Sequence, residues 1–238
     1  MTATIRSEEL ESGTAVRKTA PHRRKTVLIV DDHPVVRHGI AQIIRNETDL
    51  EVCGEAENAG SALEAMRRLQ PDLAVLDISL QGTNGIELIK LMRAERPKLL
   101  ILMLSMHDES LYALRAMRAG ADGYVMKHEA MANVVQAVHE VFNGRPYLSP
   151  AMAAQVITKF AHRQAEGEVD AVERLSDREL EILELIGKGN EVRQIAKLLN
   201  LSPKTVETHR AHIKDKLDLK NSREVARFAL QWLQARGA

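Results

Sequence analysis

Five polar residues carry the chemistry that this sequence offers, and each closely follows a short apolar run. They are Asp31, Asp32, Asp77, Ser105 and Lys127. Carboxylates that lie close together repel one another unless a cation or an ammonium group offsets their charge, and Mg²⁺ prefers such oxygen ligands. With Mg²⁺ and Lys127 balancing the charge, Asp77 can attack a phosphoryl donor, and Ser105 can donate its hydroxyl hydrogen to a phosphoryl oxygen.

The elements that must position these residues are repeated strand–helix units. Continuous apolar runs predict strands that are buried on both faces, as in a parallel sheet. The predicted strands cover residues 26–30, 51–55, 73–76, 99–104 and 124–126. Between them, apolar residues recur at helical spacing, which predicts amphipathic helices. Because the carboxyl ends of parallel strands lie at one edge of a sheet, residues 96 positions apart can share a site there.

Each of the five residues also has a purely structural interpretation. Aspartate and serine are common at helix N-caps and in turns, and a lysine after a strand is commonly a surface charge. The occurrence of all five at the ends of predicted strands favours a shared site.

Composition limits the class of protein. The chain has 238 residues, of which 45% are hydrophobic, so it is long enough for two compact domains. Its longest apolar runs fall far short of the roughly 20 residues that a membrane helix needs. Charged residues such as Arg6 and Glu9 stand where a secretory signal would be apolar, and the single Cys53 cannot form an internal disulfide. We therefore expect a cytoplasmic protein with no membrane partner.

The formal net charge of zero conceals an uneven distribution. It is +3 over residues 1–25, −7 over residues 26–173 and +4 over residues 174–238. An acidic middle is compatible with a metal or phosphoryl site and a basic end with a polyanion, but neither sign fixes a function. Residues 1–25 show no apolar period and predict a disordered tail, with a nucleic-acid-contacting arm as the alternative.

Residues 174–221 contain three helix signatures separated by tight turns. Ser176 and Glu179 form a capping-box pattern, and Ser202 before Pro203 marks the start of the third helix. Two helices joined by a four-residue turn, the second carrying polar and cationic side chains, are typical of a helix that enters the DNA major groove. The alternative is a three-helix domain whose polar face is only solvated.

One face of the third helix is apolar and is predicted to pack, whereas the other face is polar and is not needed for packing. His209 shares the apolar stripe and is predicted to pack, not to bind a ligand. A fourth helix begins near Ser222, and its Trp232 either completes the core or pairs with a second copy of the chain. The candidate DNA-contacting residues are Lys204, Thr205, Glu207, Thr208, Arg210, Ala211 and Lys214.

Residues 26–145 resemble a response-regulator receiver domain. The motifs that carry the resemblance are VLIVDDHPVVRHGI, LAVLDISLQGTNGIEL, ILMLS and GADGYVMK. The resemblance implies an α/β fold with a five-stranded parallel doubly wound sheet in the order 2-1-3-4-5. Two positions depart from the usual pattern, since Gln81 and His128 stand where many receivers have proline.

The resemblance also implies a role for each site residue. Asp77 accepts the phosphoryl group. Asp32 and Asp77 bind Mg²⁺ through their side chains, Asp31 binds it through water, and Ser79 contributes its backbone carbonyl.

The remaining roles that the resemblance implies concern the response to phosphorylation. Ser105 is the hydroxyl switch, Tyr124 the rotating aromatic and Lys127 the phosphate-contacting lysine. For Tyr124 a plain core position is the alternative, because an aromatic residue that begins a buried strand commonly only packs.

Residues 174–238 resemble a LuxR-type helix-turn-helix domain, most specifically in SPKTVETHRAHI. With the receiver, they match the NarL/FixJ subfamily of response regulators. At Val192-Arg193-Gln194 the family often shows Asn-Lys-Glu, which weakens the inference of backbone contacts from that helix.

The predicted organisation is a tail (1–25), a receiver (26–148), a linker (149–173) and an all-α helix-turn-helix domain of four helices (174–238). We expect a transcription factor that a sensor histidine kinase phosphorylates on Asp77. The expected partners are that kinase, double-stranded promoter DNA, a second copy of the chain when active, and RNA polymerase.

Two other functions stay open. In the first, the receiver acts only in dimerisation and DNA binding is independent of phosphorylation, but the intact acidic set argues against this. In the second, the chain is a phosphohydrolase with Asp77 as nucleophile. Ser79 stands where a second acid would be needed, so we expect no enzymatic activity of this kind.

Overall fold

The computed structural model describes residues 23–106, 109–154 and 171–235. Its first part is a fully parallel five-stranded sheet in the order β2-β1-β3-β4-β5, which confirms the predicted order. The strands are β1 (Lys25–Val30), β2 (Leu50–Ala56), β3 (Leu73–Asp77), β4 (Leu100–Ser105) and β5 (Gly123–Met126). The helices between and after them are α1 (Pro34–Arg45), α2 (Ala59–Leu69), α3 (Gly85–Glu95), α4 (Glu109–Ala119) and α5 (Lys127–Phe142).

Both faces of the sheet are covered, as the continuous apolar runs predicted. Val27 and Ile29 of β1 face the core formed with α1 and α5, whereas Leu28 and Val30 face the core formed with α2, α3 and α4. All four side chains are at most 1% exposed. This burial fixes the register of the strands, because a slip by one residue would exchange the two faces.

The second part of the structure is helical, and we call it the reader. A short 3-10 helix (Ala171–Arg174) precedes α6 (Asp177–Gly187), α7 (Val192–Leu198), α8 (Pro203–Lys216) and α9 (Ser222–Gln234). The Ser176 side chain accepts from the backbone N–H of Glu179 in a complete capping box, and Ser202 accepts from the backbone N–H of Thr205. These contacts confirm the predicted starts of α6 and α8.

Some predicted boundaries shift. Strand β1 includes Lys25, which the prediction assigned to the tail, and Asp77 and Ser105 end their strands where the prediction placed them just beyond. Residues 150–154 are helical and begin the predicted linker helix over residues 152–160. The rest of that helix, residues 155–170 of the linker and residues 1–22 of the tail lie outside the described residues. In the described part of the chain, no helix is both long and apolar enough to cross a bilayer.

The receiver and the reader are in contact through α4 and the start of α6. Arg115 of α4 donates to the carbonyl oxygens of Leu175 (2.8 Å) and Val172 (2.9 Å). Its guanidinium also lies 3.1 Å from the carboxylate of Asp177, which Lys90 of α3 approaches to 3.2 Å. Arg115 therefore joins its helix to both the main chain and a side chain of the reader.

Two further contacts bury acidic side chains of α6 against the receiver. The Tyr112 hydroxyl donates to Glu184 at 3.0 Å, and the Asn84 amide donates to Glu181 at 3.3 Å. Burial raises the pKa of Tyr112 well above its usual value, so the phenol keeps the proton that it donates. Both carboxylates are also paired within the reader, and this offsets the desolvation of their charges.

We expect Arg115→Gln to separate the two domains. The change removes the hydrogen bonds to two carbonyl oxygens and also the ion pair with Asp177. The contact between receiver and reader should become weaker by about 2–4 kcal/mol. Small-angle X-ray scattering should show a larger radius of gyration. The matched control is Arg118→Gln on the same helix, because Arg118 is 42% exposed and lies 3.7 Å from Glu173. An unchanged radius for Arg115→Gln, or an equal increase in both variants, would show that this contact does not hold the domains together.

Candidate functional site

The pocket at the carboxyl edge of the sheet brings together the side chains that the sequence predicted. Asp31 follows β1, Asp77 ends the neighbouring β3, and Lys127 follows β5. The Lys127 ammonium nitrogen lies 2.7 Å from Asp31 Oδ2 and 2.7 Å from Asp77 Oδ2. Both carboxylates are 2% exposed. One ammonium group thus bridges two buried carboxylates where the strand order reverses.

Asp32 lies beside this pair, together with a residue that the sequence analysis missed. His33 Nδ1 is 2.7 Å from Asp32 Oδ1 and 3.4 Å from Asp31 Oδ1. The backbone N–H of His33 donates to Asp31 Oδ1 at 2.8 Å, and Arg37 donates to the Asp31 carbonyl at 2.6 Å. These bonds fix the loop after β1. His33 directly follows Asp31 and Asp32 in the sequence, and this adjacency could have indicated its place in the pocket.

Ser79 and Ser105 border the same pocket. The backbone N–H of Ser79 donates to the Asp77 carboxylate. Ser105 ends β4, is fully buried, and follows Leu104, the register partner of Asp77. Tyr124 of β5 is 1% exposed and belongs to the apolar cluster that also contains Tyr112. The structure therefore places Tyr124 in the core, and its rotation on phosphorylation stays a prediction.

Gly85 allows helix α3 to begin directly against the backbone of Asp77. A Cβ at this position would lie 2.1 Å from the Asp77 carbonyl oxygen and 2.8 Å from Ile78 Cα. The side chain of Asn84 caps the same helix by accepting from the backbone N–H of Ile86. The close approach holds the strand end that carries Asp77 in place.

The charge states of Asp77 and Lys127 follow from their burial and from the charges of Asp31, Asp77 and Lys127 on one another. Burial raises the pKa of Asp77 to about 6, with the attraction of Lys127 opposing this shift and the repulsion of Asp31 adding to it. Burial alone would lower the pKa of Lys127, but the attraction of Asp77 and Asp31 outweighs burial and raises it. Lys127 therefore remains an ammonium group across the physiological range.

The donor set fits a hard divalent cation. One ligand atom from each of Asp31, Asp32, His33 and Asp77 lies within 4.8 Å of the others. Asp31 Oδ2, Asp32 Oδ1 and Asp77 Oδ2 are buried, and within the described residues they accept no hydrogen bond of good geometry besides their ion pairs. Carboxylate oxygens grouped in this way are the ligands that Mg²⁺ prefers.

Helix α7 of the reader faces the mouth of the pocket across an open cleft. A cleft of about 610 Å³ separates the two domains here. Lys197 brings a positive charge to the reader side of this cleft. Its lining residues are Asp32, His33, Ser79 and Gln81 from the receiver and Asn190, Gln194, Lys197, Leu198 and Asn200 from the reader.

The candidate DNA-contacting face of α8 is open to solvent. Val206 and Ile213 are fully buried and anchor the opposite face. Arg210 differs from the other predicted contact positions, because its side chain is only 19% exposed and lies 3.2 Å from Glu207. The exposed positions are Lys204, Glu207, Thr208 and Ala211, and the half-buried ones are Thr205, Arg210 and Lys214.

Comparison with protein families identifies both parts of the chain. The response regulator receiver domain family matches residues 27–139, and the family of bacterial regulatory proteins of the luxR type matches residues 173–229. The first match contains every predicted residue of the acidic pocket. The second contains every predicted DNA-contacting residue.

Similar proteins extend over both domains. Oxygen regulatory protein NreC of Staphylococcus haemolyticus is 35% identical over 209 residues, which cover 86% of this chain and 96% of that protein. Response regulator GacA of Pseudomonas aeruginosa is 34% identical over 206 residues, covering 86% and 95%. A structure of the RcsB response regulator of Salmonella typhimurium is 25% identical, with a TM-score of 0.61 and coverage of 88% and 98%.

A second RcsB structure, bound to promoter rprA in the presence of phosphomimetic BeF3-, has a TM-score of 0.58 at 25% identity and covers 87% of this chain and 98% of that one. The order of domains is therefore the same in this chain and in its relatives. The chain belongs to the NarL/FixJ family of two-component response regulators, with a receiver domain followed by a LuxR-type DNA-binding domain.

Proposed function

We propose that a sensor histidine kinase phosphorylates Asp77 and that this controls the binding of the reader to promoter DNA. The observation that carries the proposal is the Lys127 ammonium group held 2.7 Å from both Asp31 and Asp77 in a buried pocket. An Asp77 oxygen attacks the phosphorus of a phosphohistidine, the P–N bond breaks, and an acyl phosphate forms. Lys127 and the Ser105 hydroxyl then contact the phosphoryl oxygens.

Mg²⁺ is the cofactor that these side chains suit. Asp32 and Asp77 would hold it through carboxylate oxygens, Ser79 through its backbone carbonyl, and Asp31 through a water molecule. When bound, the ion supplies positive charge against the phosphoryl oxygens. His33 keeps Asp32 oriented through the 2.7 Å contact between Nδ1 and Oδ1.

Phosphorylation reaches the reader through α4 and through the cleft. It adds a charge of about −1.5 to −2 beside Ser105. Helix α4, which follows β4, carries Tyr112 and Arg115, the two residues that hold α6. A shift of α4 towards the phosphoryl group would break these contacts. We call the state with these contacts closed and the state without them open. To convert a mostly closed population into a mostly open one, phosphorylation must favour the open state by about 5.5 kcal/mol.

The released reader places α8 in the major groove. Lys204 and Lys214 would contact phosphates, and Glu207 and Thr208 would face base edges. Two chains bind adjacent half-sites as a homodimer, and dimerisation supplies part of the free energy of opening. RNA polymerase is the further partner through which bound dimers change transcription in the cytoplasm. This role requires no enzymatic turnover on an external substrate.

We expect Asp77→Asn to abolish phosphorylation by acetyl phosphate in the presence of Mg²⁺, because the amide oxygen is no nucleophile for phosphorus. Intact-mass spectrometry should show one added phosphoryl group on the wild-type chain and none on the variant. The control is Asp49→Asn, since the Asp49 side chain is 60% exposed. Equal phosphorylation of wild type and Asp77→Asn would place the acceptor elsewhere.

We expect Asp77→Asn to stabilise the Mg²⁺-free protein at neutral pH. The pKa of Asp77 is about 6 in the fold and 3.8 in the unfolded chain, so the folded state binds more protons between these values. The free energy of unfolding contributed by this group therefore falls as pH rises from about 4 to 6, by about 3 kcal/mol. Urea unfolding of both proteins at several pH values measures the difference. A difference that does not vary between pH 4 and 7 would contradict the shifted pKa.

We expect Lys204→Ala to weaken promoter binding to a similar degree on different DNA sequences, because a lysine that contacts phosphate carries no base information. The slope of log K against log salt should fall by about one. Fluorescence anisotropy over a salt series measures it, with Lys98→Ala on the receiver surface as the control. A variant that keeps the wild-type slope would remove Lys204 from the interface.

A further inference from the structure

A second group of metal-ligating side chains lies in the reader, away from the phosphorylation pocket. It consists of Glu179 in the first turn of α6 and of His209 and His212 on α8. One nitrogen of each histidine and a carboxylate oxygen of Glu179 lie within 4.8 Å of one another. The spacing of the two histidines by three residues places both imidazoles on one side of the helix. Neither histidine is among the predicted DNA contacts.

His209 has a nitrogen that the fold leaves without a partner. Its side chain is half-buried on α8, as the apolar stripe predicted, but Nδ1 is buried and makes no hydrogen bond to any described residue. A buried polar atom without a partner destabilises a fold. An ion bound at this nitrogen would remove this penalty. Packing and metal binding are therefore compatible at this position.

One carboxylate oxygen of Glu179 accepts hydrogen bonds within the reader, and the other lies near His212. Oε2 accepts from the Lys216 ammonium group at 2.6 Å and from the Ser176 backbone N–H at 2.7 Å. Oε1 lies 3.6 Å from His212 Nδ1, which is too long for a hydrogen bond. The imidazole rings of His209 and His212 are nearly perpendicular, at 89°, with centroids 6.4 Å apart.

The charge states of His209 and Glu179 suit metal binding at neutral pH. Burial lowers the pKa of His209, so its imidazole is neutral and keeps a lone pair. Burial alone would raise the pKa of Glu179, but hydrogen bonds from Lys216 and Ser176 outweigh it and lower the pKa, so the carboxylate is ionised.

We propose that Glu179, His209 and His212 form a binding site for a divalent ion of borderline softness, such as Zn²⁺ or Co²⁺, with water in the fourth position. Imidazole ligands suit Zn²⁺ and Co²⁺, whereas Mg²⁺ is held by oxygen atoms. The positive charges of Arg178 and Lys216 act on the same cluster and oppose ions that bind by charge alone. The two sites of the chain therefore differ in the ions they select.

The geometry requires only side-chain movement. Ligand atoms around a tetrahedral Zn²⁺ lie about 3.4 Å apart, since each Zn–N or Zn–O distance is about 2.0–2.2 Å. The His212 side chain is 56% exposed and free to rotate towards Glu179. The bound ion would clamp the first turn of α6 to the middle of α8. It would thereby fix the helix that carries Thr208 and Ala211, two of the predicted DNA contacts.

Titration of the full chain with Co²⁺ tests the site, with excess Mg²⁺ present to fill the receiver pocket. We expect visible absorption bands of tetrahedral Co²⁺ that saturate at one equivalent and that Zn²⁺ removes. His212→Gln should weaken Co²⁺ binding at least about tenfold. Because His212 is exposed, this variant should keep the wild-type circular dichroism spectrum.

The matched control is His139→Gln, which removes a histidine from an exposed cluster with Glu47 and Asp49 on the receiver. It should bind Co²⁺ as the wild type does. No tetrahedral bands in the wild-type chain, or bands of equal affinity in His212→Gln, would overturn the proposal. A thiolate charge-transfer band would also overturn it, since that band would assign the ion to Cys53. Phosphorylation of Asp77 should be unchanged in His212→Gln, so this test is separate from that of the receiver.

Discussion

The contact of one ammonium group with two buried carboxylates is the interaction on which the chemistry of the receiver pocket depends. Lys127 Nζ is 2.7 Å from both Asp31 and Asp77, at the edge where the strand order reverses. Without it, burial and the repulsion of Asp31 would drive Asp77 to take up a proton, and a cation or phosphoryl group would meet a neutral carboxyl group at Asp77. Even with it, the pKa of Asp77 stays at about 6. Charge repulsion in the site is therefore only partly offset, and a bound divalent ion would offset more of it.

The same pocket is joined to the reader by two routes. Helix α7 lines the cleft that faces the pocket, and α4 holds α6 through Tyr112 and Arg115. Most of the polar face of α8 is nevertheless exposed, so in this arrangement the receiver holds the scaffold of the reader and leaves four of the candidate DNA-contacting side chains uncovered. Control would then act on the orientation and pairing of readers. It would not act by covering the recognition helix.

The sequence predicted those features that depend on nearby residues or on the general geometry of a parallel sheet. Apolar runs predicted all five strands, caps such as Ser176 and Ser202 predicted helix starts, and parallel pairing predicted that Asp31, Asp77 and Lys127 would meet. It did not reach contacts that depend on how two finished domains pack. Nothing in the periodicity of α4 or α6 indicates that Tyr112 donates to Glu184. The partial burial of Arg210 depends on packing within the reader, where it lines a cleft with Asn190 and Arg193, and its position on the helix alone places it beside the open face.

The most direct test of the central claim is the position of a divalent ion in a crystal of the full chain grown with Mn²⁺ in place of Mg²⁺. Anomalous diffraction locates Mn²⁺ without ambiguity, and oxygen ligands suit it as they suit Mg²⁺. We expect an anomalous peak in the pocket, in contact with carboxylate oxygens of Asp32 and Asp77, with Lys127 still beside Asp77. A fully loaded crystal with no peak in this pocket would contradict the claim that these carboxylates are gathered to hold a cation.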